Sequence, residues 1–154
     1  MPAHSSALNR SKIGFRSAAG ANLLDVRAAM TYLRQSLTEA CFDPSDIASS
    51  EIVIAEILNN VIKHAQENQD DGWFDLQCEI APEALHVTCK DNGAAMPGGV
   101  PPLGVLPEIG CKVVDLPEGG WGWSLVRTLT TSLNYVRIEP INLVSFTIPK
   151  TSDD

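Results

Sequence analysis

The chain has 154 residues, of which 44% are hydrophobic and 19% are charged, so it is predicted to form one folded domain over residues 1–154 and not a disordered chain. Its net charge is −8 without any lysine or arginine cluster, which argues against binding to nucleic acid. The polar first ten residues and the absence of long apolar stretches predict neither a signal peptide nor a membrane span, and we expect a cytoplasmic protein.

The first third of the chain predicts a strand and two helices. Residues 10–17 are predicted as a short strand, and apolar residues at steps of three and four from Val26 to Ala40 predict the first helix. Asp43 is a candidate N-cap of the second helix, with Pro44 in its first turn. That helix is predicted to run to about residue 67, with an apolar face made of Ile47, Ile54, Ile57, Leu58, Val61 and Ala65.

The remainder predicts two hairpins separated by a loop and a helix. Alternation in 74–80 and 85–89 indicates two antiparallel strands whose apolar side includes Cys78 and Cys89. Residues 91–120 are rich in proline and glycine and have no sustained period, which is typical of a functional or mobile loop. A third helix is predicted from Trp123, Val126, Leu129 and Leu133, followed by strands at 134–138 and 143–148 around a turn at 140–142.

This order of elements predicts an α+β sandwich with the helices on one face of a mixed, mostly antiparallel sheet. Residues 1–8 and 150–154 are expected to be disordered. The four cysteines are widely spaced and form no C-x-x-C pair, so they are interpreted as reduced thiols, with Cys78 and Cys89 in the core.

Polar residues form a stripe along the second helix. At about 100° per residue, Glu56, Asn60, Lys63 and Glu67 share one narrow face, and His64 lies at its edge. An amide oxygen can hold Mg²⁺, a lysine attracts phosphates, and a carboxylate can accept a proton from an attacking hydroxyl. The stripe therefore fits a magnesium–triphosphate site, although its spacing alone also fits an ordinary solvated helix face.

Two glycine-containing segments could complete such a site. Asp91-Asn92-Gly93 ends a strand, where a carboxylate could accept a hydrogen bond from the amino group of adenine; alone it is also a common turn sequence. Gly119-Gly120-Trp121-Gly122 directly precedes a helical pattern, so its backbone N–H groups could approach an anion. Trp121 and Trp123 are interpreted as packing residues.

Taken in order, these segments resemble the nucleotide-binding boxes of the GHKL ATPases, which include gyrase-type, Hsp90-type, histidine-kinase and anti-sigma-kinase proteins. Residues 54–65 resemble the N box, Asp91-Asn92-Gly93 the first glycine box and 119–126 the second. The resemblance covers about residues 10–149. It implies a two-layer α/β sandwich of the Bergerat type, bound ATP and Mg²⁺, and an ATP lid at about 93–119.

The resemblance also implies roles for individual residues. Glu56 matches the general base, Asn60 the magnesium ligand and Lys63 a phosphate-facing lysine. Asp91 would bind the adenine amine, and Gly93 would leave room for the base. The other predicted nucleotide-binding residues are His64, Gly119, Gly120, Trp121 and Gly122, with Gly120 and Gly122 under the phosphates.

Two positions depart from the family pattern. The first glycine box usually has a second glycine where this chain has Ala95, and Trp123 stands where a small aliphatic residue is typical. Either residue could reshape the lid hinge or weaken nucleotide binding.

Within the GHKL group the chain looks most like the bacterial anti-sigma-factor serine kinases, which have Glu where Glu56 stands. That resemblance implies a kinase that phosphorylates a serine on an anti-sigma-factor antagonist and holds a sigma factor or other regulatory protein inactive, and that forms a homodimer. Two alternatives stay open. One is a non-catalytic module in which ATP selects a binding partner, and the other is a histidine-kinase-like catalytic domain that acts in trans.

Overall fold

The computed structural model describes residues 12–65, 69–102 and 121–151, without the side chains of His64, Ala65 and Trp121. Five strands form one sheet in the order β1-β2-β3-β5-β4. All four pairings in these described ranges are antiparallel, which agrees with the predicted mostly antiparallel sheet. The strands are β1 (Lys12–Arg16), β2 (Phe74–Ile80), β3 (Ala84–Asp91), β4 (Thr131–Ile138) and β5 (Ile141–Pro149).

In the described part of the chain, three α-helices accompany the sheet: α1 (Leu23–Glu39), α2 (Pro44–Asn60) and α3 (Trp121–Leu129). Helix α1 begins with a capping box, in which the Asn22 side chain accepts from the Leu24 amide and Asp25 accepts from the Asn22 amide. Asp43 occupies the N-cap position of α2 as predicted, but its side chain makes no capping hydrogen bond. Pro44 occupies the first turn as predicted.

Helix α2 ends at Asn60, seven residues before the predicted end, and continues as a π-helical turn, Val61–Ala65. A π turn has i→i+5 hydrogen bonds and a wider ring than an α-helix, so each residue rotates the chain by less than the 100° of the helical wheel. The predicted angular positions of Lys63 and His64 therefore do not apply. Glu67 lies outside the described residues.

The core lies between the helices and one face of the sheet. Alternate residues of β2, β3 and β5 point into it, and α1 and α2 contribute their periodic apolar faces, as predicted. The fully buried side chains include Leu33, Leu37, Ile54, Leu58, Phe74, Leu76, Leu85, Val87 and Val126. Trp123 is also buried, which confirms its packing role, and so are Cys78 and Cys89. The other face of the sheet carries the exposed side chains Val136 and Ile138.

The second hairpin differs in detail from its prediction. Leu133, placed on the third helix from its spacing, lies in β4, because α3 ends at Leu129 and β4 begins at Thr131. The turn consists of Glu139 and Pro140 alone, since β5 already begins at Ile141. Consequently Asn142, predicted in the turn, is a core-facing strand residue that pairs with Asp91.

The chain is also held beyond the last strand. The Lys150 amide donates to the Glu83 carbonyl at 2.9 Å. The amide and hydroxyl of Thr151 both donate to Oδ1 of the buried Asp46, at 2.9 and 3.0 Å. Residues 150 and 151 are therefore anchored, in contrast to the expected disorder there. Residues 1–8 and 152–154, which were also expected to be disordered, lie outside the described part.

Candidate nucleotide-binding site

The last turn of α2 supplies an adjacent carboxylate and amide. Glu56 and Asn60 are both half-buried and lie four residues apart, and Asn60 Nδ2 is 3.4 Å from Glu56 Oε1, a long hydrogen bond. In the part of the chain that the structure describes, no donor reaches Asn60 Oδ1. A hard carbonyl oxygen with free lone pairs beside a carboxylate is a donor set that suits Mg²⁺.

The second residue of α3 lies directly against this pair. A side chain at Gly122 would place its Cβ on the carboxylate carbon and both oxygens of Glu56. With any side chain at Gly122, the Glu56 carboxylate could not keep its present position. The structure thus brings Glu56, Asn60 and Gly122 together from segments more than 60 residues apart in the sequence.

Asp91 ends β3 and is only 3% exposed. Its Oδ1 accepts hydrogen bonds from the Gly93 amide at 2.8 Å and from Asn142 Nδ2 at 3.0 Å. Burial raises the pKa of the Asp91 carboxyl, and these two hydrogen bonds and the charge of Arg137 oppose that rise. Within the described ranges no donor reaches Oδ2, so this oxygen can accept from a ligand.

Sequence reasoning missed the side chains that surround Asp91. Asn142 is 2% exposed, and its Oδ1 accepts from the Tyr135 hydroxyl and, at 2.9 Å, from Arg137 Nη1. The sequence did contain a signal for Asn142: its amide lies on the apolar side of an alternating strand, in line with Val144 and Phe146. A buried amide at such a position needs partners and commonly marks a polar network.

Asn92 joins the first glycine box to the connection that precedes β2. Its Oδ1 accepts from the Trp73 amide at 2.8 Å, and its Nδ2 donates to the Asp71 carbonyl at 3.2 Å. Its own carbonyl accepts from Gln69 Nε2 at 3.0 Å. These bonds hold the turn after Asp91 from the side opposite to Asn142.

Other predicted site residues are only partly described. Lys63 is exposed on the π turn, and the backbone of His64 follows it. Gly119 and Gly120 lie outside the described residues, and Trp121 begins α3. Of the predicted lid, residues 93–102 are described, with a short 3₁₀ turn at Pro97–Gly99. Their roles toward a nucleotide stay predictions.

The family of the chain follows from a comparison with protein families. The sequence pattern of the histidine kinase-like ATPase domain matches residues 20–148, which include α1 to α3, β2 to β4 and all of β5 except its last residue. The chain belongs to this family. The histidine kinase-like ATPase assignment confirms the resemblance inferred from the three boxes, and the α+β fold agrees with it.

Individual proteins within this comparison are also similar to the chain. The serine-protein kinase RsbW of Listeria monocytogenes serotype 4a (strain HCC23) is 27% identical over 108 residues, 70% of this chain and 69% of the relative. The serine-protein kinase RsbW of Staphylococcus aureus is 27% identical over 104 residues, 66% and 65% of the two chains. A crystal structure of the RsbU and RsbW domains of a Mycobacterium tuberculosis protein superimposes with a TM-score of 0.60 at 16% identity, over 91% of this chain and 34% of that one. That likeness shows the fold.

The described residues include no helix that is both long and apolar enough to cross a membrane.

Proposed function

We propose that this histidine kinase-like ATPase is an ATP-dependent serine/threonine protein kinase of the anti-sigma-factor type. In this proposal it phosphorylates an antagonist protein and sequesters a sigma factor or another regulatory partner. The observation that carries the proposal is the convergence of Glu56, Asn60 and Gly122 at the junction of α2 and α3. The serine-protein kinase names of the similar proteins support it.

The nucleotide would lie between two parts of the chain. Oδ2 of Asp91 would accept a hydrogen bond from the 6-amino group of adenine, and the buried Gly93 would leave room for the ring. Asn60 Oδ1 would hold Mg²⁺, which when bound neutralises charge on the phosphates. Lys63 and the backbone of the segment that ends at Gly122 would face the phosphates.

Glu56 would act as the general base. In the transfer, the hydroxyl oxygen of a substrate serine bonds to the γ-phosphorus, and the bond to the β-phosphate oxygen breaks. ADP leaves with that electron pair, and the serine proton passes to a Glu56 carboxylate oxygen. Phosphoryl transfer depends mainly on positioning, so the packing of Glu56 against Gly122 would fix the base relative to the attacking hydroxyl.

The proposal is tested with Mg²⁺, radiolabelled ATP and a purified candidate antagonist encoded by a neighbouring gene. We expect acid-stable phosphoserine on the antagonist. Glu56→Gln should abolish transfer and leave ATP affinity nearly unchanged, because it removes the proton acceptor and keeps the shape. The matched control is Glu51→Gln on the same helix, where the carboxylate pairs with Arg34 at 2.6 Å; it should transfer at the normal rate.

The other outcomes separate the alternatives. Normal transfer by Glu56→Gln would exclude this base. Acid-labile phosphohistidine would favour the histidine-kinase-like activity in trans. ATP-dependent binding of the antagonist without phosphate transfer would favour the nucleotide-gated binding module.

A further inference from the structure

A buried polar cluster links the last two strands to the predicted adenine carboxylate. Asn142 lies at its centre, and its Nδ2 is 3.0 Å from Asp91 Oδ1, 3.2 Å from the Gly93 carbonyl oxygen and 2.8 Å from the Ala94 carbonyl oxygen. An amide nitrogen has two hydrogens, so these three acceptors share them and leave no N–H unused. The Tyr135 hydroxyl and Arg137 Nη1 occupy the two lone pairs of Asn142 Oδ1.

These contacts fix which way the amide points. In the reversed orientation, the oxygen would face a carboxylate and two carbonyls, and the NH₂ group would face Arg137 Nη1, which can only donate. The network therefore permits one orientation, in which an N–H group points at Asp91. Because both partners are almost fully buried, water cannot replace this bond without cost.

The same cluster holds the first residues of the predicted lid. The carbonyl of Gly93 accepts from Arg137 Nη1 at 2.9 Å as well as from Asn142. The Met96 amide donates to the Tyr135 hydroxyl at 3.0 Å. Ala95, where the family pattern has a glycine, thus lies between two residues that the β4–β5 hairpin holds in place.

We infer that Asn142, supported by Tyr135, is a positioning residue for recognition of the 6-amino group of adenine; this inference rests on the proposed function. A carboxylate rotates readily about its terminal torsion, since that torsion has a broad energy minimum. The hydrogen bond from Asn142 commits Oδ1 of Asp91 to the protein and leaves Oδ2 directed to the ligand. Asn142 itself has no free hydrogen-bonding capacity, so it acts through Asp91.

The test compares two nucleotides that differ only in that group: ATP and purine riboside 5′-triphosphate, which lacks the 6-amino group. Dissociation constants are measured by titration calorimetry for the full chain with Mg²⁺. The wild type should prefer ATP by roughly 10- to 100-fold, as expected for a hydrogen bond to a charged group. Asn142→Ala should bring the ratio of the two dissociation constants close to 1, mainly by weakening the binding of ATP. Tyr135→Phe, a milder change, should lower the ratio several-fold.

The ratio separates positioning from general damage. A merely structural defect would weaken the binding of both nucleotides equally and leave the ratio of their dissociation constants at its wild-type value. That result with either variant would overturn the inference. Should Asn142→Ala fail to fold, Tyr135→Phe alone decides the question by the same criterion. The control Asn134→Ala, an exposed asparagine of the same hairpin, should keep the wild-type ratio. A wild type that binds neither nucleotide would instead refute the proposed function.

Discussion

Substitution of Gly122 by alanine perturbs the predicted general base without touching the predicted adenine site. The added methyl would coincide with the Glu56 carboxylate, whereas Cβ contacts below 3.0 Å essentially do not occur. The carboxylate must therefore move by about 1 Å or more, and a displacement of that size can cost about 100-fold in rate. We expect Gly122→Ala to slow phosphate transfer by about that factor.

Stability measurements isolate the contact from other effects of the methyl. In a helix, alanine is favoured over glycine by up to about 1 kcal/mol. We expect Gly122→Ala to raise the free energy of unfolding by this amount in a Glu56→Ala background, where the carboxylate is absent. With Glu56 present, the overlap between the methyl and the carboxylate should offset the gain. Urea unfolding of the four proteins of this double-mutant cycle measures the difference.

A matched control is Gly14→Ala in β1, where a methyl would meet the amide end of Gln77 at 3.0 Å and so require little movement. It should leave transfer unchanged. Wild-type transfer rates in Gly122→Ala, together with equal stability effects in both backgrounds, would show that the added methyl does not displace the base.

Two further predictions follow from burial. Burial raises the pKa of Asp91, so the folded protein keeps the carboxyl proton at pH values where the unfolded chain has released it. The free energy of unfolding should therefore fall as the pH rises from 3.8, the ordinary pKa of an aspartate, through the raised pKa of Asp91. Asp91→Asn should flatten this part of a urea-unfolding pH profile, and an unchanged slope would contradict the assignment. Burial likewise raises the pKa of the Cys78 thiol to about 12 and raises that of Cys89. Maleimide labelling with peptide mapping should modify the exposed Cys41 in the native protein and the two buried thiols only after denaturation; native labelling of Cys78 or Cys89 would contradict the packing.

The order of elements and most of the core could be predicted because both depend on local periodicity. Alternation in residues 74–80 directly reports which side chains face the helices, and the spacing on α1 and α2 does the same. Leu133 shows the limit of this reasoning. A residue four positions after Leu129 continues a helical pattern, but the same residue also fits a strand, and the chain turns into β4 between them.

The site was predictable only where its groups are close in sequence. Glu56 and Asn60 are one helical turn apart, so their proximity follows from α-helical geometry. The π turn after Asn60 changes the geometry beyond it, and the apolar pattern of 61–65 contains no sign of this change.

Contacts between distant segments required the structure. Asn142 reaches Asp91 across 51 residues, and Gly122 reaches Glu56 from another helix. Sequence reasoning predicted a phosphate-binding role for Gly122 from its box, and the structure adds that its missing side chain makes room for a carboxylate.

In the proposed function, groups from α2, β3 and α3 surround one magnesium-bound adenine nucleotide. Calorimetric titration of the purified chain with ATP, in the presence of Mg²⁺ and then of a chelator, tests this arrangement most directly. Saturable binding of one ATP per chain that weakens when Mg²⁺ is removed is the predicted result. An absence of heat and of saturation up to millimolar ATP under both conditions would contradict it.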